Sequence, residues 1–169
     1  TSPTLPSSVA SGDILTLTGA QANSASITNS GTVRIELSAS AELAASSDID
    51  AITGTIAFVE SDAPTVAVTT LSVASGQTLT ISAAQVSGKT ISGAGTVTVT
   101  GSHSGTDLSN LTPALLDITA ATLTSPTLPS SVASGDILTL TGAQANSASI
   151  TNSGTVRIEL SASAELAAS

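Results

Sequence analysis

The chain contains no cysteine, methionine, tryptophan or tyrosine, and Phe58 is its one aromatic residue. Without cysteine there is neither a disulfide framework nor a thiolate metal site, which suits a bacterial exported protein and a cytosolic one equally. Without large aromatics, the usual globular core built on buried rings is excluded. Basic residues are equally scarce: Arg34, Lys89 and Arg157 stand against 12 acidic side chains, for a net charge of -9. That balance argues against nucleic acid, whose affinity comes from many Lys and Arg contacts to phosphate, and against an anionic membrane surface. No apolar run approaches the ~18 residues of a membrane span, so no membrane insertion is expected of this segment. Charged residues make up only 9% of the chain, so solubility rests on Ser, Thr, Asn and Gln.

What the chain does have is repetition. Residues 1–46 recur letter for letter as residues 124–169. Folding does not demand identity at every position, because surface residues tolerate exchange. The identity therefore points to a recent or engineered duplication, and the chain reads as a window on a longer array. One full repeat covers residues 1–123, and residues 124–169 begin the next. The unit is itself a degenerate doublet: Val9-Ala-Ser-Gly-Asp-Ile-Leu-Thr-Leu-Thr-Gly-Ala-Gln21 matches Val73-Ala-Ser-Gly-Gln-Thr-Leu-Thr-Ile-Ser-Ala-Ala-Gln85. This sets sub-repeats near residues 9–72 and 73–131.

A shorter rhythm lies beneath. Gly31-Thr-Val-Arg-Ile35, Gly54-Thr-Ile-Ala-Phe58 and Gly95-Thr-Val-Thr-Val99 each place alternating polar and apolar residues after a glycine. Such alternation of β-branched residues predicts half-buried strands. Their leading apolar residues are Leu15, Val33, Ile56, Leu79, Val97, Ile118 and Leu138, in steps of 18, 23, 23, 18, 21 and 20 residues. Leu123 is the alternative to Ile118. Second strands are expected at Ala25–Thr28, Thr65–Thr69, Lys89–Ser92 and Leu115–Ile118, and single helical turns at Ala41–Ala45 and Leu108–Leu115.

With 40% hydrophobic residues, almost all Val, Ile, Leu and Ala, the chain is too apolar for disorder and suits thin, regular layers. The expected fold is all-β: a parallel β-solenoid with coils of about 20 residues, in which Val33, Ile56, Leu79 and Val97 stack. The alternative is a tandem of immunoglobulin-like antiparallel sandwiches, although units of about 60 residues are short for such domains. Pro3, Pro6, Pro126 and Pro129 then mark a linker in the sandwich arrangement and a turn in the solenoid. Uncapped solenoid ends expose unpaired backbone, so besides the neighbouring repeats of the same chain, end-to-end self-association is expected.

Chemistry has few candidates. His103 is the sole imidazole, flanked by Ser102 and Ser104, with Asp107 nearby but no nucleophile motif. Three basic residues leave too little for acid–base work, and no enzyme is expected. Asp48, Asp50, Glu60 and Asp62 offer four carboxylates within fifteen residues, the one set that could hold a cofactor, namely calcium. Against it, neither the EF-hand pattern nor the glycine-rich calcium nonapeptide occurs. Thr16 and Thr18, Thr78 and Thr80, and Thr96, Thr98 and Thr100 form outward ranks like those of ice-binding solenoids, broken by Arg34, Glu36, Ala57 and Val59. The ordinary role of such threonines is to solubilise a strand face.

The strings Leu79-Thr-Ile-Ser-Ala-Ala-Gln85 and Gly95-Thr-Val-Thr-Val-Thr-Gly101 resemble repeats of very large bacterial surface proteins, which are likewise acidic, cysteine-free and rich in Ala, Ser, Thr and Gly. The resemblance implies an extracellular stalk or adhesin shaft on a bacterial cell surface, and transfers no catalytic residue. On this basis the expected function is a structural spacer repeat. A calcium-dependent adhesin repeat is the alternative, and an ice-binding solenoid ranks below it.

Overall fold

A computed structural model describes residues 4–37, 49, 51–60, 70–146 and 148–160, with the backbone alone at 37 and 58–60. The chain winds as follows. Ser8–Val9 (β1) turns into Ile14–Thr18 (β2) and a single helical turn, Gly19–Ala22 (α1). Thr28–Asn29 (β3) and Thr32–Leu37 (β4) follow, then Thr55–Glu60 (β5). Thr70–Ser72 (β6) leads into Thr78–Ser82 (β7) and the helical turn Ala83–Val86 (α2). Thr90–Ser104 (β8) is a single strand of 15 residues, followed by Leu111–Asp117 (β9) and Ala121–Thr124 (β10). The last stretch holds Ser131–Val132 (β11), Ile137–Thr141 (β12), Gly142–Ala145 (α3), Thr151–Asn152 (β13) and Thr155–Glu159 (β14).

Every strand pairing among the described residues is parallel. The fold is a β-solenoid, and the antiparallel sandwich is ruled out. One ladder runs the length of the molecule in the order β2, β4, β5, β7, β8, β9, β12, β14. Its register places Leu15, Val33, Ile56, Leu79, Val97, Leu116, Leu138 and Val156 directly over one another. The expected column is therefore correct at every rung but one: Leu116, not Ile118 or Leu123, takes the sixth place. Ile118 lies two residues on and is fully buried, in the position that Leu17, Ile35, Ile81, Val99 and Leu140 fill in their own coils. The adjacent leucines, Leu115 and Leu116, hide the phase of that coil, because one of them faces outward.

A second side is assembled from shorter pairings: Val9 with Asn29, Ile27 with Ile52, Leu71 with Ile91 and Leu111, and Val132 with Asn152. The strands expected at Ala25–Thr28 and Lys89–Ser92 belong here. Leu115–Ile118 does not, being part of the first ladder, and Thr65–Thr69 lies outside the described residues. Leu108–Leu115 is not helical: a turn at Ser109 and Asn110 leads straight into β9. Leu111 and Leu116 are both buried although five residues apart, because the pairing slips between Gly93 and Thr96 and the strand bends from one side of the coil to the next. Ala41–Ala45 lies outside the described residues. Pro6, Pro126 and Pro129 sit within the coils; Leu128, beside Pro129, packs against the core.

Two devices turn the corners. The first is a close backbone crossing, where Gly31, Gly95 and Gly154 each lie on the turn of the preceding coil. A Cβ at any of them would overlap the carbonyl oxygen of Ala10, Ala74 or Ala133 respectively. This is why glycine stands just before the alternating residues at Thr32, Thr96 and Thr155. The second is the four-residue helical turn. Thr18 and Thr141 accept from the N–H of Gln21 and Gln144 at 3.3 Å, and those glutamines accept back from the threonine N–H at 2.9 and 2.8 Å. The reciprocal pair forms a capping box and satisfies amides that a turn this short leaves open. Inside, stacked Val, Leu and Ile side chains contribute roughly 1.5–3 kcal/mol each. No coil buries them without its neighbours.

Candidate functional site

The carboxylates singled out for calcium fall almost wholly outside the described residues. Asp48, Asp50 and Asp62 lie outside the described residues, and Glu60 is described only as the backbone end of β5. Among the described residues no group of three or more acids or histidines is placed to hold a metal ion. His103 lies on β8, and its Nδ1 is 3.0 Å from the Thr106 hydroxyl. Asp107 is engaged elsewhere: its carboxylate accepts from the Ser109 N–H at 3.0 Å, and its own N–H donates to the Ser87 hydroxyl at 2.9 Å. The Ser109 hydroxyl and N–H hold the Asp107 carboxyl below its ordinary pKa. The histidine and the acid thus serve separate turns and form no relay. Lys89, partly desolvated, is shifted below the usual lysine range.

The outward face of the long ladder carries two columns. The first reads Thr16, Arg34, Ala57, Thr80, Thr98, Asp117, Thr139, Arg157. It is broken at Arg34 and Ala57, as the sequence indicates, and again at Asp117, whose carboxylate accepts from both the N–H and the hydroxyl of Thr119. The second column reads Ile14, Thr32, Thr55, Thr78, Thr96, Leu115, Ile137, Thr155 over the same pairings. Of its four consecutive threonines the sequence marks Thr78 and Thr96 as outward, but not Thr32 and Thr55, which have no Thr two residues on: Arg34 and Ala57 stand there. Leucine and isoleucine end that run. Arg34 and Glu36 face outward together, with N–O at 3.7 Å and both side chains substantially exposed, an ion pair worth at most about 1 kcal/mol.

The most specific polar chemistry lies between coils. Gln144, 8% exposed, donates from Nε2 to the carbonyls of Ile118 and Ala121 at 2.9 and 3.0 Å, and so ties α3 to the coil beneath it. Gln77 binds the Ile52 carbonyl in the same way while accepting from the Ala74 N–H at 2.6 Å. The Asn29 side-chain amide donates to the Thr55 carbonyl at 2.7 Å. Each of these buried amides donates through its nitrogen to a neighbouring coil, which fixes register; the Gln144 and Gln77 oxygens serve their own turns, and the Asn29 Oδ1 is buried without a partner. The sequence marks one of the three residues, Gln144, by the Thr-x-x-Gln spacing of its capping box, but not the coil that it bonds. Gln85, equally buried, finds no partner for either side-chain amide atom, and nothing in the structure explains it.

Two clefts open where β12 stacks on β9. One is lined by Leu111, Pro113, Leu116, Val132, Asp136 and Ile137, the other by Thr119, Leu123, Thr141 and Gln144. The first lies where the second side is interrupted, since β9 and β11 are not paired. Pro113 has no N–H to donate to a ladder there. Among the described residues no helix is long and apolar enough to cross a membrane. Comparison with known proteins finds no family model, curated protein or solved structure that matches the chain.

Proposed function

We propose that the chain is a length of rod, a structural spacer in a bacterial surface protein of the adhesin or stalk kind, with no catalytic duty. The observation that carries this reading is the uninterrupted register of the long ladder across the repeat boundary, from Val97 through Leu116 to Leu138 and Val156. One repeat hands its stacking surface to the next, and each copy adds the same rise. Six rungs separate Leu15 from its copy Leu138, so a repeat adds about 29 Å at ~4.8 Å per rung. Identical units suit that task, because nearest-neighbour stacking propagates and no unit has to differ. The extracellular setting rests on composition and on the resemblance of the repeats.

The test is length against copy number. Chains of one, two and three 123-residue units, measured by small-angle scattering, should grow linearly by about 29 Å per unit, with the same melting temperature in calcium and in chelator. A length that does not grow with copy number defeats the spacer. A melting temperature raised by calcium replaces it with the calcium-dependent adhesin repeat.

A further inference from the structure

Where β12 stacks on β9, two coils are joined on one side and parted on the next. Ile137 pairs with Leu115 and Leu138 with Leu116, which holds the coils together along the long ladder. On the second side β9 and β11 are not paired, and a cleft of about 70 Å³ opens between them. Its place is written in the sequence: Pro113 and Pro129, both buried in its walls, lack the N–H groups that would close the two coils on each other. The gap is thus built into the fold, and it crosses the boundary between residues 1–123 and the copy that begins at Thr124.

The floor of the cleft is apolar. Leu111, Leu116, Val132 and Leu138 line it, each no more than 6% exposed. One charged group stands among the lining residues, Asp136. Its N–H donates to the Ala133 carbonyl at 3.1 Å and its own carbonyl accepts from the Thr155 N–H at 2.9 Å, so its backbone is anchored on both sides. Among the described residues its half-buried carboxylate takes part in no hydrogen bond or ion pair. No lysine or arginine lines the cleft, in a chain of net charge -9. A cavity of about 150 Å³ holds benzene, so this one holds a chain of about three or four carbons with its head group at the open mouth.

We infer that the cleft binds a short aliphatic ammonium ion, its chain on the four apolar side chains and its charged head on the Asp136 carboxylate. The two halves of the site select by different physics. Burial of methylenes supplies affinity and rejects strongly hydrated inorganic cations. The carboxylate, in an acidic setting, rejects anions and favours the cation over a neutral alcohol of the same shape. A free alkylamine and the side chain of a lysine on another protein carry the same chemistry. The site stands on the cleft and its lining, whether or not the chain serves as a spacer.

The probe is n-butylammonium, titrated into the isotope-labelled 169-residue chain and followed by nuclear magnetic resonance, with 1-butanol and butyrate as uncharged and anionic counterparts. Butylammonium should shift the amides of Ser131, Val132, Ala133 and Asp136 saturably. It should bind about fivefold more tightly than butanol, roughly the worth of one ion pair, and butyrate should leave these amides unmoved. Asp136→Asn should remove that fivefold advantage and keep butanol binding as it was. Ala133→Leu fills the cleft and should abolish the binding of both, with unshifted amides in β4 and β5 as proof of folding. A Gly-Lys-Gly peptide bound as tightly as butylammonium assigns the site to lysine side chains, and one bound about tenfold more weakly assigns it to free amines. The inference is overturned if butylammonium shifts amides beside the other carboxylates as strongly as those of the cleft. It is equally overturned if butanol binds as well as the amine, or if Asp136→Asn leaves the preference intact.

Discussion

Residues 4–37 and 127–160 are the same sequence in two places, and the difference between them separates what a segment does by itself from what its neighbour does for it. Both copies form the short first strand, the five-residue second strand, the capping box and the glycine corner. Burial does not follow. Leu138 is 2% exposed and Thr139 is 3%, sandwiched between β9 and β14, while Leu15 is half-buried and Thr16 exposed at the end of the stack. At the other end the order reverses: Ile35 is sealed, and its copy Ile158 is 37% exposed. Local devices are thus specified by the segment, and the core is specified by stacking. Stability in this molecule is a property of pairs of coils.

Paired substitutions at equivalent positions break or sharpen that contrast. The largest difference is expected at the second inward column: Ile35→Ala should lower unfolding free energy by about 2–5 kcal/mol, and Ile158→Ala by less than about 1 kcal/mol, both read by urea denaturation. Equal losses would mean that burial in the second copy is supplied from elsewhere. Next come the corners, where Gly31→Ala forces a methyl into the Ala10 carbonyl and should cost about 2–4 kcal/mol. Gly154→Ala repeats the clash but loosens only the last coil, so hydrogen exchange should quicken in β14 and leave β4 protected. A smaller gap is expected at the glutamines. Gln144→Ala loses the two inter-coil hydrogen bonds as well as the capping bond and should cost about 2 kcal/mol, against about 1 kcal/mol for Gln21→Ala.

Two further changes should hardly move stability. Replacing Arg34 and Glu36 together by threonine removes an exposed ion pair and should shift stability by under about 0.5 kcal/mol. At Asp107 the folded state holds the carboxyl below its unfolded pKa, so its contribution is present above the ordinary carboxylate range and fades as pH falls through the folded value. Asp107→Asn should therefore cost a small amount of stability at neutral pH, small because the group is so exposed, and on the stability–pH curve the difference from the parent chain should vanish as pH falls below the folded value.

Much of this architecture is legible in the sequence because its physics is local and periodic. A glycine followed by alternating β-branched residues marks a corner and a strand, and the same signal recurring about every twenty residues marks a ladder. The sixth coil was misphased where that signal degrades, at the adjacent leucines Leu115 and Leu116, with a proline at position 113 in the same strand. The helical turns at Gly19, Ala83 and Gly142 went unseen because four residues carry no amphipathic period; only the Thr-x-x-Gln spacing betrays two of them. The inter-coil contacts of Gln144, Gln77 and Asn29 join residues more than twenty positions apart and leave no mark on their immediate neighbours. A contact of that kind is visible only once the coils are stacked.

The three-residue junction between β9 and β12 has a mechanical consequence. In a parallel solenoid the interstrand hydrogen bonds point along the long axis, so tension applied to the two ends falls on them in series. A seam of three paired residues, like the equally short one between β5 and β7, gives way before the five-residue seam between β12 and β14. Because the sequence recurs, every 123 residues would carry the same short seams, and a stretched array would yield stepwise, shedding load one unit at a time.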